Sequence, residues 1–290
     1  MNTYQNSIFS MGTRFNILIP GLDGLTGDEI FSSATNELIR IENMLSCFLS
    51  DSDISYINRN AYKNSVSVNS EIFGILTECM EFYKLTENNF DIGLGYIIDY
   101  WSGKHTEFDE EPHINLAGAK NIILDTSDSS VKFATNQVKI NLGGYGKGYA
   151  LLKVRELLKE SGIENAFLSF GESSVSCIGK HPYGDYWPVG IQDFYQKERS
   201  LTTFKVVGSS VSTSGNLQKN HIINSSTGEP VTQKRLISVK SPSPVVAEVL
   251  STALIAVSDK QIEKILESFP AEEVVRVEYN NNKADICKFK

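Results

Sequence analysis

INLGGYGKGYALLKV, residues 140–154, sets glycines at 143, 144, 146 and 148 between an apolar alternating segment and a run with helical spacing. It reads as strand, glycine turn and helix. The segment 137–142 (QVKINL) supplies the strand, and Tyr149 to Ser161 the helix. Glycine permits positive φ and close approach of the backbone to a ligand, and a helix start offers unpaired amides that suit a phosphate. Lys147 adds a point charge. The spacing is neither G-x-G-x-x-G nor G-x-x-x-x-G-K-[ST], so the Rossmann and P-loop readings fail. A tight turn without a ligand is the competing reading, because turns use glycine anyway.

Outward from this stretch, strands and helices come in groups. On the N-terminal side, Phe15–Ile19 (FNILI) is a strand closed by Pro20 and Gly21. Asp28–Leu45 and Ser70–Leu85 are amphipathic helices, with apolar residues such as Ile30, Ala34, Leu38 and Ile41 on one face. Between residues 117 and 141, NIILD and VKFA read as further short strands. On the C-terminal side, AFLSFG and SVSCIG alternate as strands, and so do Trp187–Ile191 and Ser200–Val207. Val245–Ser258 is a helix entered at Pro244, where a missing N–H does no harm. Gln261–Phe269 is another helix, and VVRVEYN a last strand. Grouped strands with helices between the groups imply an α+β fold with largely antiparallel sheet. Residues 1–290 read as one large domain with two lobes.

Composition narrows the function. Lys plus Arg number 27 and Asp plus Glu 35, giving a net charge of −8. Nucleic-acid binding is not expected, since it needs a basic face. A phosphorylated ligand would have to be attracted by a metal ion, local amides or a few lysines. Cys47, Cys79, Cys177 and Cys287 form no C-x-x-C pair and read as buried or incidental thiols. No membrane span is expected, and the N-terminus has neither a basic nor an apolar signal region, so a cytoplasmic location is expected. An exported form with its signal removed is the alternative.

Several polar residues stand out. Glu248 and Thr252 lie four apart in VVAEVLSTALIAV and so share a helix face. A carboxylate and a hydroxyl on one face are either a hard-metal ligand pair or a solvated helix edge. His221, in NHIIN, is either a surface residue or a partner in a site. Phe90-Asp91 with Gly93 and Gly95, Met11-Gly12-Thr13, and the hydroxyl-rich VSTSG (211–215) are each weak signals alone.

Together and in order, these segments resemble the ApbE family of FAD:protein FMN transferases over nearly the whole chain. MGTRFNILI resembles the family's opening strand, and ENMLSCFLSDSDISYIN its helix-and-loop segment. NFDIGLGYIIDYW is similar to its Phe-Asp-x-[ST]-x-Gly-Pro element, and INLGGYGKGYA to its Asp-Leu-Gly-Gly-x-Ala-Lys-Gly-Tyr-Ala turn. VSTSGN, HIINSSTGEPV and SPSPVVAEVLSTALIAV resemble its Ser-Thr-Ser-Gly, His-[IV]-Ile-Asp-Pro-x-Thr-Gly and Ala-Asp-x-x-x-Thr-Ala elements.

The resemblance implies an ApbE-like, T-fold-related architecture. It implies metal-dependent transfer of FMN from FAD, through a phosphoester, to a Thr or Ser of an acceptor flavoprotein, with release of AMP. Hydrolysis of FAD to FMN and AMP, and flavin binding without catalysis, are the alternatives. Magnesium is expected on the Gly146 carbonyl, Glu248 and Thr252. FAD contacts are expected at Met11, Phe48, Asn89, Phe90, Asp91, Gly143, Lys147, Tyr149 and His221, with His221 as base or positioner. The chain departs from the family pattern at Asn141, Asn224 and Glu248, each in place of Asp. It also departs at Phe48 for Tyr, Gly93 for Thr or Ser, Leu152 for Asp and Ser225 for Pro.

Overall fold

The computed structural model describes residues 2–103, 111–171, 173–217, 222–269 and 273–289. In chain order the elements are β1 (Thr3–Ser10), β2 (Thr13–Pro20), α1 (Gly24–Leu45), α2 (Asp53–Asn60), β3 (Val66–Ser67), α3 (Ser70–Leu85), α4 (Gly95–Trp101), β4 (Ile122–Asp125) and β5 (Ser130–Phe133). The second half holds α5 (Gly146–Glu160), β6 (Ala166–Phe170), β7 (Ser174–Ile178), β8 (Trp187–Gln192), β9 (Ser200–Val206), β10 (Ser210–Gly215), β11 (Arg235–Ser241), α6 (Pro244–Ala253), α7 (Asp259–Leu266), β12 (Glu273–Asn280) and β13 (Lys283–Phe289). An eight-stranded sheet runs β1-β2-β6-β7-β10-β11-β12-β13. Its ladders are antiparallel. The α+β, antiparallel expectation therefore holds.

The two faces of the central strands are chemically different. Val175, Cys177 and Val211 pack with Trp187 and Phe204 of the β8–β9 ribbon. The intervening residues Ser174, Ser176, Ser210 and Ser212 point the other way, because side chains alternate along a strand. There they meet α5 and α6. Their small hydroxyl side chains let α6 sit close to the sheet, and they leave a polar lane beneath it. The main apolar core lies on the same side, built from Phe15, Ile17 and Ile19 of β2, Leu38 and Ile41 of α1, and Val249 and Leu250 of α6. Among the described residues, no helix is long and apolar enough to cross a membrane.

Some boundaries differ from the sequence reading, for identifiable reasons. Strands β1 and β13 carried no clear signal because both are edge strands with mostly exposed or half-buried residues. QVKINL is extended but joins no sheet; it bridges Leu94 at Lys139, and the Asn141 backbone amide donates to Ile92 O at 2.8 Å. The side chain of Asn58 imitates a neighbouring strand there, accepting from Ile140 N at 2.7 Å and donating to Ile140 O at 2.9 Å. Helix α6 ends at Ala253 rather than Ser258, because Ser258 takes an extended conformation and caps α7 in a capping box with Gln261. Helix α5 starts at Gly146, inside the glycine motif, not at Tyr149.

Candidate active site

The early start of α5 matters most for the site. With Gly146 as its first residue, the amides of Lys147 and Gly148 fall in the first turn, where an α-helix has no internal acceptor for them. Tyr145, at the N-cap, supplies no side-chain cap. The Gly143 amide, by contrast, donates to Asn141 Oδ1 at 2.9 Å. Asn224 Oδ1 does the same for Ser226 N at 2.9 Å. In both turns an amide oxygen is the acceptor that closes the turn. Met11 and Gly12, both at positive φ, form the tip of the β1–β2 hairpin. The tip lies over the glycine turn, where a Cβ at Gly146 would stand 3.0 Å from Met11 Cε.

Helix α6 crosses α5 at Gly148. A Cβ there would lie 2.6 Å from Pro244 O and 2.9 Å from Glu248 Cβ, so only glycine permits this approach. The approach buries Glu248 to 3% exposure. A buried carboxylate is costly without partners, and Glu248 has a full set. Lys147 Nζ sits 2.8 Å from Oε1. Ser174 Oγ and Ser212 Oγ each donate to Oε2 at 2.7 Å. Lys147 also donates to Ser174 Oγ at 3.0 Å and Ser173 Oγ at 3.2 Å. Hydroxyls continue the network: Ser251 lies 3.2 Å from Ser212 and 2.9 Å from Ser214, which lies 3.3 Å from Thr252 Oγ1. The solvated-edge reading of Glu248 is thus overturned, because the α5–α6 crossing removes it from water.

This network floors a cavity of about 520 Å³. Phe48, Asn89, Phe90, Asp91, Gly143, Lys147, Glu248 and Thr252 line it. A second cavity of about 280 Å³ adjoins it, sharing Phe48, Asn141, Gly143 and Lys147 and adding Met11 and Gly146. Tyr149 lines neither cavity. Its hydroxyl donates to Glu71 at 2.7 Å, and its ring stacks on Tyr145. His221 lies outside the described residues; Ile222 and Ile223, next in sequence, line the larger cavity. Asp91 Oδ1 accepts from the amides of Gly93 at 2.7 Å and Ala119 at 2.8 Å. Burial outweighs those bonds and raises its carboxyl to about 6.

Sequence reasoning missed Ser173 and Ser174, and it left Ser212 and Ser214 inside an unassigned hydroxyl-rich strand end. Their spacing of two was the available signal, since it puts both on one face of β10. For a hard cation, the larger cavity offers the Glu248 carboxylate and the Thr252 hydroxyl, both oxygen donors, and Gly146 lines the adjoining cavity. Among the described residues, no group of three or more His, Cys, Asp or Glu side chains is placed to hold a metal. The donors fit an ion of magnesium type, which is commonly held by one or two carboxylates together with substrate phosphates.

Known proteins resemble this chain along its length. A Vibrio cholerae FAD:protein FMN transferase is 22% identical over 270 residues, covering 87% of this chain and 80% of its own. The Haemophilus influenzae protein of the same name is 25% identical over 283 residues, covering 88% and 81%. Among solved structures, the flavin transferase ApbE from Vibrio cholerae superposes with a TM-score of 0.84 at 19% identity, over 99% of this chain and 97% of its own. The ApbE protein from Thermotoga maritima gives 0.84 at 24% identity, with the same coverage. Residues 11–275, from the hairpin tip at Met11 into β12, match the ApbE family, and the chain belongs to that family.

Proposed function

We propose that this protein transfers FMN from FAD to a Thr or Ser hydroxyl of an acceptor flavoprotein. One observation carries the reading. The uncapped start of α5 and the Lys147 ammonium meet the Glu248–Thr252 face of α6 at the floor of a cavity walled by Phe48 and Phe90. Cationic and amide groups at the floor suit a diphosphate, and aromatic walls suit a flavin or adenine ring. The relatives named FAD:protein FMN transferase support the assignment.

In the reaction, the acceptor hydroxyl oxygen forms a bond to the phosphorus of the FMN half. The bond from that phosphorus to the bridging oxygen breaks, and its electron pair leaves with AMP. Lys147 and the first-turn amides of α5 hold the diphosphate oxygens and offset their growing charge. Phe48 and Phe90 orient the rings. His221 is assigned the hydroxyl proton from its motif, and Ile222 and Ile223, next in sequence, line the cavity. A magnesium ion held by Glu248, Thr252 and the Gly146 carbonyl would supply further neutralisation of phosphoryl charge. The whole chain acts as one domain in this reading, which the shared sheet supports, since β1 and β13 are its two edges.

The test is incubation with FAD, magnesium and a flavoprotein fragment bearing an acceptor Thr, read by mass spectrometry. The expected product is the fragment plus FMN, with AMP in equal amount. Free FMN and AMP without adduct would replace the reading with hydrolysis. Bound, uncleaved FAD would replace it with flavin binding alone.

A further inference from the structure

We propose that Lys147 holds the place of the divalent cation on Glu248 and yields it when a diphosphate arrives. The inference rests on the metal site assigned above and concerns how that site is filled.

The charge balance at Glu248 is complete in the protein alone. Oε1 carries the Lys147 ammonium at 2.8 Å, and Oε2 carries the hydroxyls of Ser174 and Ser212. A divalent ion taking Oε1 meets an ammonium already at hydrogen-bond distance, on a carboxylate only 4% exposed, where the repulsion is screened less than in bulk water. Lys147 must therefore move off. Its three donor positions are matched by Glu248, Ser174 and Ser173, so it leaves only for another anion.

The protein offers few alternatives. Of the other carboxylates lining the two cavities, Asp91 already accepts the Gly93 and Ala119 amides, and Glu42 accepts from Ser10 Oγ at 3.0 Å. A diphosphate in the cavity would supply the missing acceptor. The Lys147 side chain is 24% exposed and lines both cavities, so its ammonium can turn toward one. Free protein then binds a divalent cation weakly, and the diphosphate strengthens that binding by releasing Glu248. Linkage makes the effect reciprocal.

A diphosphate also chelates metal directly, so the decisive measurement uses the metal alone. Mn²⁺ is titrated calorimetrically into the nucleotide-free full chain, then repeated with ADP present. K147Q removes the charge while keeping a hydrogen-bond donor for Glu248. S173A loosens Lys147 without touching Glu248 and keeps the buried pair, so it guards against misfolding of the first variant. The expected result is Mn²⁺ affinity raised about tenfold or more in K147Q, within the usual range of coupling between sites. S173A should show a smaller rise in the same direction, and E248Q should bind no Mn²⁺. Affinity in K147Q and S173A equal to or below wild type, with binding still lost in E248Q, overturns the placeholder and leaves the metal site standing. Mn²⁺ binding unchanged in E248Q, or absent from every form even with ADP, overturns the metal site and the placeholder together.

Discussion

Lys147 Nζ lies 2.8 Å from Glu248 Oε1, joining the first turn of α5 to the middle of α6 across the floor of the cavity. The pair decides where charge sits in a protein whose overall balance is acidic. It also makes Glu248 the residue whose loss is expected to matter most. E248A should abolish adduct formation at saturating FAD. It should also destabilise the fold, by up to ~3 kcal/mol, because one partner of a buried pair is left behind. Activity comes from the mass-spectrometric assay and stability from urea unfolding. Undiminished turnover would remove Glu248 from the site.

Gly148 makes the Lys147–Glu248 pair possible. G148A places a methyl 2.6 Å from Pro244 O and 3.0 Å from Val245 Cα, which are backbone atoms and cannot swing aside. The helices must separate, at a cost of ~1–3 kcal/mol typical of overpacking. The expected outcome is a lower Tm together with a loss of activity larger than the Tm change explains. A G148A protein with wild-type Tm and turnover would show that the crossing is looser than described.

Asp91 gives a pH signature. Its folded carboxyl is raised from 3.8 to about 6, chiefly by burial. Between these values the folded state holds a proton that the unfolded chain has released, so stability falls as pH rises. The contribution is fully present below pH 3.8 and is lost as pH passes through about 6, for a total of ~3 kcal/mol. D91N keeps the acceptor for Gly93 and Ala119 and removes the titration. The difference in unfolding free energy between D91N and wild type should therefore grow in favour of D91N from pH 5 to pH 7. A constant difference would count against the shift.

Trp101 holds the turn that follows His221. Its Nε1 donates to Gly228 O at 2.9 Å, and a Cβ at this glycine would stand 3.5 Å from both Ile97 Cδ1 and Ile114 Cβ. W101F keeps an aromatic, though smaller, ring and loses the bond, about 1 kcal/mol, or roughly fivefold in rate if the loss falls on the transition state. A lower kcat with KM for FAD and Tm nearly unchanged is expected. An unchanged kcat would leave Trp101 as a surface anchor only.

Phe48 is 70% exposed in the protein alone, so its truncation should cost little stability. F48A should instead raise KM for FAD by about tenfold, as expected for losing one aromatic wall. An unchanged KM would take Phe48 out of the binding site.

Much of this molecule was legible from sequence because the signals are local. The Ser70–Leu85 helix was read with its observed bounds, since Asn69 caps it and its apolar spacing is regular. Glu248 and Thr252 share a helix face by spacing alone, and the glycine turn announces a close backbone approach. The edge strands β1 and β13 were not legible, because an edge strand owes its conformation to its neighbour more than to its own residues. Tyr149 shows the same limit from the other side. Its motif places it beside Lys147, but the helix turns it toward Glu71, away from the cavities.

The order of motifs and the chemistry of each segment were set by the sequence alone, and they carry the family assignment. Only the tertiary structure decided what those chemical groups do to one another. Glu248 could have been a solvated helix edge. It is buried and paired because α6 crosses α5 where Gly148 has no side chain, and because β7 and β10 turn their serines toward it. Burial and pairing depend on residues far apart in the chain being brought within a few ångströms, and no local pattern carries that information.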